Sequence, residues 1–218
     1  AGPAVADIPP MVGAAVLCTG PLAGFVGLAV LLRLFPTCAR QIGLRLPTAA
    51  DLKAAAAASA AVVPLTIALG ALVGVLVALL ASWLGDQPPD PVTHATLREI
   101  IASPGAPSTW LTIATVVLLV PAIEEIIYRG FLQTGFRNLN PAPTRRTVVL
   151  AILGSSVVFT VSHAPIVDPH AMLILFFLSV AIGVAYERTG RLVVPIAIHI
   201  AFNAANVALG LLQSGPAA

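Results

Sequence analysis

The sequence predicts an all-α fold: a polytopic membrane bundle of about six transmembrane helices, forming a single integral-membrane domain over 1–218. Three observations lead there. Only 9% of the 218 residues are charged and 58% are hydrophobic, whereas water-soluble domains carry about 25% charged residues; so few charges cannot cover a water-facing surface. Mean hydropathy is accordingly high, at +0.99. Apolar stretches near the length that crosses a membrane (about 20 residues) recur along the chain. No segment alternates with the two-residue period of a strand, and no internal repeat is visible.

The first predicted span, 11–35, is a continuous apolar run. No basic residue precedes it, and a signal peptide needs a positively charged start, so none is expected. The second, 60–84, follows an alanine-rich "AAAAASAA" at 54–61 that either extends the helix or lies at the interface, with Pro64 a candidate kink. Between the second and third spans, "GDQPPDPVTHATLREIIASPGAPS" is rich in proline and polar residues. It suits a segment that packs over the helices or gates access to them, and His94 within it reads as a plain loop histidine. The third span, 108–132, ends in "PAIEEIIYRGF". The fourth (147–163) and fifth (171–187) are short, and the sixth is 192–213.

Charge sets the expected orientation, because cytoplasmic loops are enriched in Lys and Arg. Loop 36–53 holds Arg40, Arg45 and Lys53, with Arg33 at its edge; 133–146 holds Arg137, Arg145 and Arg146; 187–191 holds Arg188 and Arg191. The alternate loops differ: 85–107 sets Arg98 against Asp86, Asp90 and Glu99, and 164–170 has no basic residue. Both termini are therefore expected outside and the basic loops in the cytoplasm. One lysine against ten arginines, with abundant alanine, points to a GC-rich bacterial genome and so to a bacterial cytoplasmic membrane. A net charge of +2 with no long basic run argues against a nucleic-acid partner. Cys18 and Cys38 form no CxxC pair, and packing accounts for them.

An acidic residue near the centre of a membrane helix costs about 2.5–3.5 kcal/mol on insertion scales, so such groups tend to line polar cavities and mark function. The spans contain Glu124, Glu125, Arg129, His163, His199, Asn203 and Asn206. Adjacent helical residues point about 100° apart, so Glu124 and Glu125 serve different purposes. Glu125 and Arg129, four apart, suit an ion pair that leaves Glu124 free for chemistry. His199 and Asn203 are also four apart and can share a cavity. Each group has a structural reading as well. The glutamates suit a helix end near the headgroups, His163 a helix cap, and His199 with Asn203 interhelical glue, while Asn206 and His170 read as structural. All of these bland readings would have to hold together. A carboxylate with two imidazoles can hold zinc with a position open for water, and the same carboxylate can instead act as general base on a water that the histidines orient. An Asn amide can donate to an oxyanion. No HExxH and no GxSxG is present, so activated-water hydrolysis of an amide fits these groups best.

"EEIIYR" (124–129), "FTVSH" (159–163) and "HIAFN" (199–203) match EExxxR, FxxxH and HxxxN. Together and in this order they resemble the CPBP family, also called ABI, which includes CAAX prenyl endopeptidases and bacterial self-immunity proteins. The motifs cover about 121–203, within a family-like core at about 108–213. The resemblance implies an intramembrane endopeptidase acting on a membrane-associated protein or peptide in the bilayer. It implies Glu124 as the water-activating carboxylate and His163 and His199 as holders of that water or of a divalent metal such as zinc. Asn203 would steady the oxyanion, and Glu125 with Arg129 would support the first motif. A metal-free glutamate mechanism stays open. The alternatives are a non-proteolytic scaffold or bacteriocin self-immunity protein with the same fold, and a transporter relay, for which no inverted repeat is visible. One expectation conflicts with the shared site. Counting from Trp110 outside puts Glu124 about 21 Å down its helix, whereas His163 lies about 24 Å up from Thr147 inside. In a core of about 30 Å those depths differ by half a membrane.

Overall fold

The computed structural model describes residues 9–87, 92 and 94–213. Among them the order is α1 (Pro10–Leu34), α2 (Cys38–Gln41), α3 (Ala49–Leu84), α4 (Ala95–Ala102), α5 (Pro107–Asn138), α6 (Arg145–Ser162), α7 (Pro169–Thr189) and α8 (Val193–Gln213). Six of these, all but α2 and α4, are long and apolar enough to cross a membrane, at the six places the sequence predicts. The protein is an all-α polytopic bundle. Among the described residues the only strand-like pairing is one isolated antiparallel bridge between His94 and Val167. Asp90 lies outside the described residues.

Local chemistry explains the longest helix. The Thr48 hydroxyl accepts from the Asp51 N–H at 3.3 Å and the Asp51 carboxylate accepts from the Thr48 N–H at 2.7 Å, so two otherwise orphaned donors are satisfied at the start of α3. The alanine run at 54–61 then propagates the helix, alanine being the best helix former. It extends the second span, with Pro64 inside the helix.

Polarity is inverted relative to a soluble protein. Leu72, Leu76, Leu79 and Trp83 of α3 are exposed, whereas Thr115, Glu125, Arg129, Gln133, Ser155, Ser156 and Ser179 are buried between helices. In a bilayer, helix association draws on packing and interhelical hydrogen bonds, since lipid is as apolar as leucine. Helix α8 packs on α3 and α7 through a cluster built on Ala55, Leu178, Ile182, Val194 and Ile198.

At the other end of α7, the basic loops interlock. Gly43 has φ of 71°, and a Cβ there would lie 2.2 Å from the Gly190 carbonyl oxygen; the Gly43 carbonyl accepts from the Leu192 N–H at 3.2 Å. A left-handed conformation costs a residue with a Cβ about 1–2 kcal/mol, and the clash adds to it. Gly43→Ala is therefore expected to lower the thermal unfolding temperature of the purified protein; an unchanged transition would show that this loop contact yields freely.

The depth conflict shrinks because α5 does not stop at 132. It continues to Asn138, so Glu124 lies about 21 Å above the end of α5 that leads into α6. His163, just past the far end of α6, lies about 27 Å above the start of that helix. The remaining difference is about one helical turn.

Candidate active site

Pro121 shapes the helix that carries the glutamates. In a regular α-helix the Val120 N–H would bond to the Val116 carbonyl; here it reaches back five residues to Thr115, and Thr115–Leu119 is a π-helical turn. The donor five residues beyond Val116 is Pro121, which has no N–H. The Val116 carbonyl is thus left for a side chain, and Asn203 Nδ2 of α8 donates to it at 2.8 Å. A second π-helical stretch, Ile126–Gln133, follows the glutamates. Such wide turns recur at functional sites.

Glu124 and Glu125 diverge as the helical rotation requires. Glu125 is fully buried; its Oε2 lies 3.1 Å from Arg129 Nε, and both side chains have no exposed surface. Arg129 Nη2 donates to the Ser179 hydroxyl at 2.8 Å and to the Ser179 carbonyl at 3.0 Å. Its guanidinium also lies 5.1 Å from the centre of the Phe159 ring. The other Glu125 oxygen, Oε1, lies 2.8 Å from His199 Nδ1. The carboxylate accepts, so that nitrogen carries the proton and the neutral ring turns an Nε2 lone pair outward. His163 is arranged in the same way. It caps α6 with Nδ1 2.8 Å from the Phe159 carbonyl, which can only accept.

Both free nitrogens face Glu124. His163 Nε2 lies 3.6 Å from its Oε1 and His199 Nε2 lies 3.8 Å from its Oε2. These separations exceed hydrogen-bond length. Glu124 Oε2 is buried without a hydrogen-bond partner. Three acceptor groups therefore converge on one spot. A cation satisfies them, or a water with one added proton, since water alone supplies two. Two donors bound tetrahedrally to one zinc lie about 3.4 Å apart, a few tenths of an ångström closer than here, and no ready-made metal-binding cluster of three such side chains occurs among the described residues. The chemistry of the donor set, one carboxylate and two imidazoles, suits a divalent metal, and the two imidazoles lie against different oxygens of Glu124.

The site opens into a cavity of about 630 Å³ lined by Glu124, His163, His199 and Asn203, with Phe202 and Ile174 among its apolar walls. Of the sequence-predicted residues, Glu124, His163 and His199 meet directly. Asn203 lines the same cavity, while Glu125 and Arg129 lie behind His199.

Residues 106–205 match the family model described as type II CAAX prenyl endopeptidase Rce1-like. Over that stretch the chain is similar to the Rce1-like family. It agrees with the family resemblance carried by the three motifs. An uncharacterized 24.3 kDa protein of Escherichia coli is 27% identical over 104 residues, covering 48% of this chain and 46% of that protein. The chain thus spans about half the length of the curated relative it matches. No solved structure matches.

Within the matched stretch the pairing of Glu125 with Arg129 is legible from the four-residue spacing, whereas the bond of Glu125 to His199 and the contact of Arg129 with Ser179 are not. Phe159 was legible only as a motif letter. Its ring is fully buried and packs on His163 at 4.5 Å, Tyr128 at 5.1 Å and His199 at 5.8 Å between ring centres. The four-residue spacing to His163 is the signal that it sits one turn behind. His94 lies outside the matched residues 106–205. It is not a plain loop residue: it caps α4 and lines the cavity.

Proposed function

We propose that the protein is an intramembrane endopeptidase that hydrolyses a peptide bond of a membrane-associated substrate through a water activated by Glu124. The observation that carries this reading is the Glu124 carboxylate set between two Nε2 lone pairs, each aimed by a bond at the other ring nitrogen. In this mechanism Glu124 takes a proton from the water as its oxygen attacks the carbonyl carbon, and the tetrahedral adduct collapses with cleavage of the C–N bond. The same carboxyl group returns the proton to the departing amine. His163 and His199 hold the water in line: one imidazole accepts the water proton that Glu124 does not take. Asn203 spends one amide hydrogen on Val116 and has its second for the developing oxyanion.

If a divalent metal is bound, Glu124, His163 and His199 are the residues that would hold it, and it would supply Lewis-acid polarisation. Chelator treatment separates the cases. Loss of cleavage restored by zinc assigns a metal, whereas an unchanged rate assigns a glutamate acting on water alone.

The reading is tested by membrane proteomics comparing wild type with Glu124→Ala, where uncleaved precursors should accumulate in the variant. Identical proteomes would favour the scaffold reading. That reading gives no reason for two oriented histidines around a buried carboxylate.

Orientation belongs to the same proposal: Arg45 and Arg145 face the cytoplasm, and Asp90 lies outside. Single cysteines at these positions, in a background lacking Cys18 and Cys38, are expected to label from opposite sides of the membrane. Labelling of Asp90→Cys from the cytoplasm alone would overturn it.

A further inference from the structure

Helix α4 lies against the cavity through Thr96, Leu97 and Ile100. Three contacts fasten it to the turn that follows His163. His94 bridges Val167, the Ala95 N–H donates to the Ile166 carbonyl at 3.1 Å, and Arg98 forms a salt bridge with Asp168. His94 is thereby held at the wall of the cavity that contains Glu124, His163 and His199.

Its ring orientation has a chemical consequence. His94 Nδ1 accepts from the Thr96 N–H at 3.2 Å, so this nitrogen is unprotonated and the neutral ring carries its hydrogen on Nε2. The tautomer is opposite to that of His163 and His199. Where those two rings offer lone pairs, His94 offers a donor. Burial is the largest influence on His94 and holds it below the ordinary imidazole range. A neutral imidazole N–H can donate a hydrogen bond without surrendering its proton.

Peptide hydrolysis places a negative charge on the former carbonyl oxygen, and preorganised donors aimed at that oxygen carry much of the catalysis. Asn203 has already committed one hydrogen to Val116. Resting on the endopeptidase reading above, we propose that His94 is a further catalytic residue, whose Nε2–H donates to the oxyanion from the wall of the cavity that α4 forms.

His94 also caps α4, so the test must separate donation from capping. Serine is a good N-cap but lacks a donor at that reach; glutamine places an N–H near the position of Nε2 but caps poorly. The assay uses the purified full chain and a quenched-fluorescence peptide cleaved by wild type and not by Glu124→Gln. His94→Ser is expected to lower kcat about 100-fold with KM within about twofold, and His94→Gln to recover most of the loss. Wild-type kcat in His94→Ser, or equal loss in both variants, overturns the proposal. If no peptide is cleaved faster by wild type than by Glu124→Gln, the endopeptidase reading itself has failed. A measurement independent of turnover is the ¹⁵N spectrum of histidine-labelled protein, with His94 assigned by the signal lost in His94→Gln. A proton on Nε2 is expected, and a proton on Nδ1 refutes the donor role.

Discussion

Glu124→Gln is expected to lower peptide cleavage about 1,000-fold, within the range that general-base catalysis contributes, while the protein stays folded and inserted. The substitution keeps the shape and removes the basicity. The amide cannot take the proton of the attacking water, and its NH₂ would donate to His163 Nε2 or His199 Nε2 and occupy the place of that water. Stability should hold or rise. Glu124 Oε2 is buried with no hydrogen-bond partner, and an active-site group of this kind is retained at the expense of stability. The combination of lost activity and retained thermal stability is specific: a structural role for Glu124 would lower both. Purified Glu124→Gln protein that cleaves at the wild-type rate would sink the assignment of the base.

The sequence showed where the chain lies in lipid more clearly than where its helices end. Hydropathy reports burial in hydrocarbon, so the polar stretch 133–138 reads as loop although α5 runs through it to Asn138. That misjudged end created most of the depth conflict between Glu124 and His163. The alanine run at 54–61 was ambiguous for the same reason. The cap that starts α3, Thr48 with Asp51, lies outside the apolar stretch.

Spacing along one helix made the pairing of Glu125 with Arg129 legible, because residues four apart face the same way. Contacts across helices were beyond such reasoning. Glu125 and His199 are 74 positions apart, and their bond depends on how α5 and α8 are rotated against each other. Pro121 was visible as a residue without an N–H, but nothing local named Asn203 as the donor that answers the freed Val116 carbonyl. His94 was misread because its neighbours are loop-like in composition. Its significance comes from the turn after His163, to which α4 is tied.

The second large effect is expected at Glu125, and it should fall on stability. Glu125→Gln leaves the Arg129 guanidinium, with no exposed surface, facing a neutral amide. Removing one partner of a buried ion pair costs about 3–5 kcal/mol, because the remaining charge is left uncompensated. The bonds of Arg129 to Ser179 persist, but they supply no opposite charge. Glutamine Oε1 can still accept from His199 Nδ1, so the imidazole keeps its tautomer and the folded fraction keeps part of its activity. Thermal unfolding of the purified variant should therefore shift strongly downward while the surviving folded protein still cleaves. Arg129→Met alone strands the opposite charge, and the double variant Glu125→Gln with Arg129→Met should recover much of the lost stability, since charges removed together leave neither exposed to an apolar interior. The coupling in that cycle separates an ion pair from two independent packing defects, for which the losses would simply add. A Glu125→Gln protein as stable as wild type but as inactive as Glu124→Gln would reverse the roles of the two glutamates. The carboxylate bound to His199 would then be the one that handles the proton, and Glu124 would be the support.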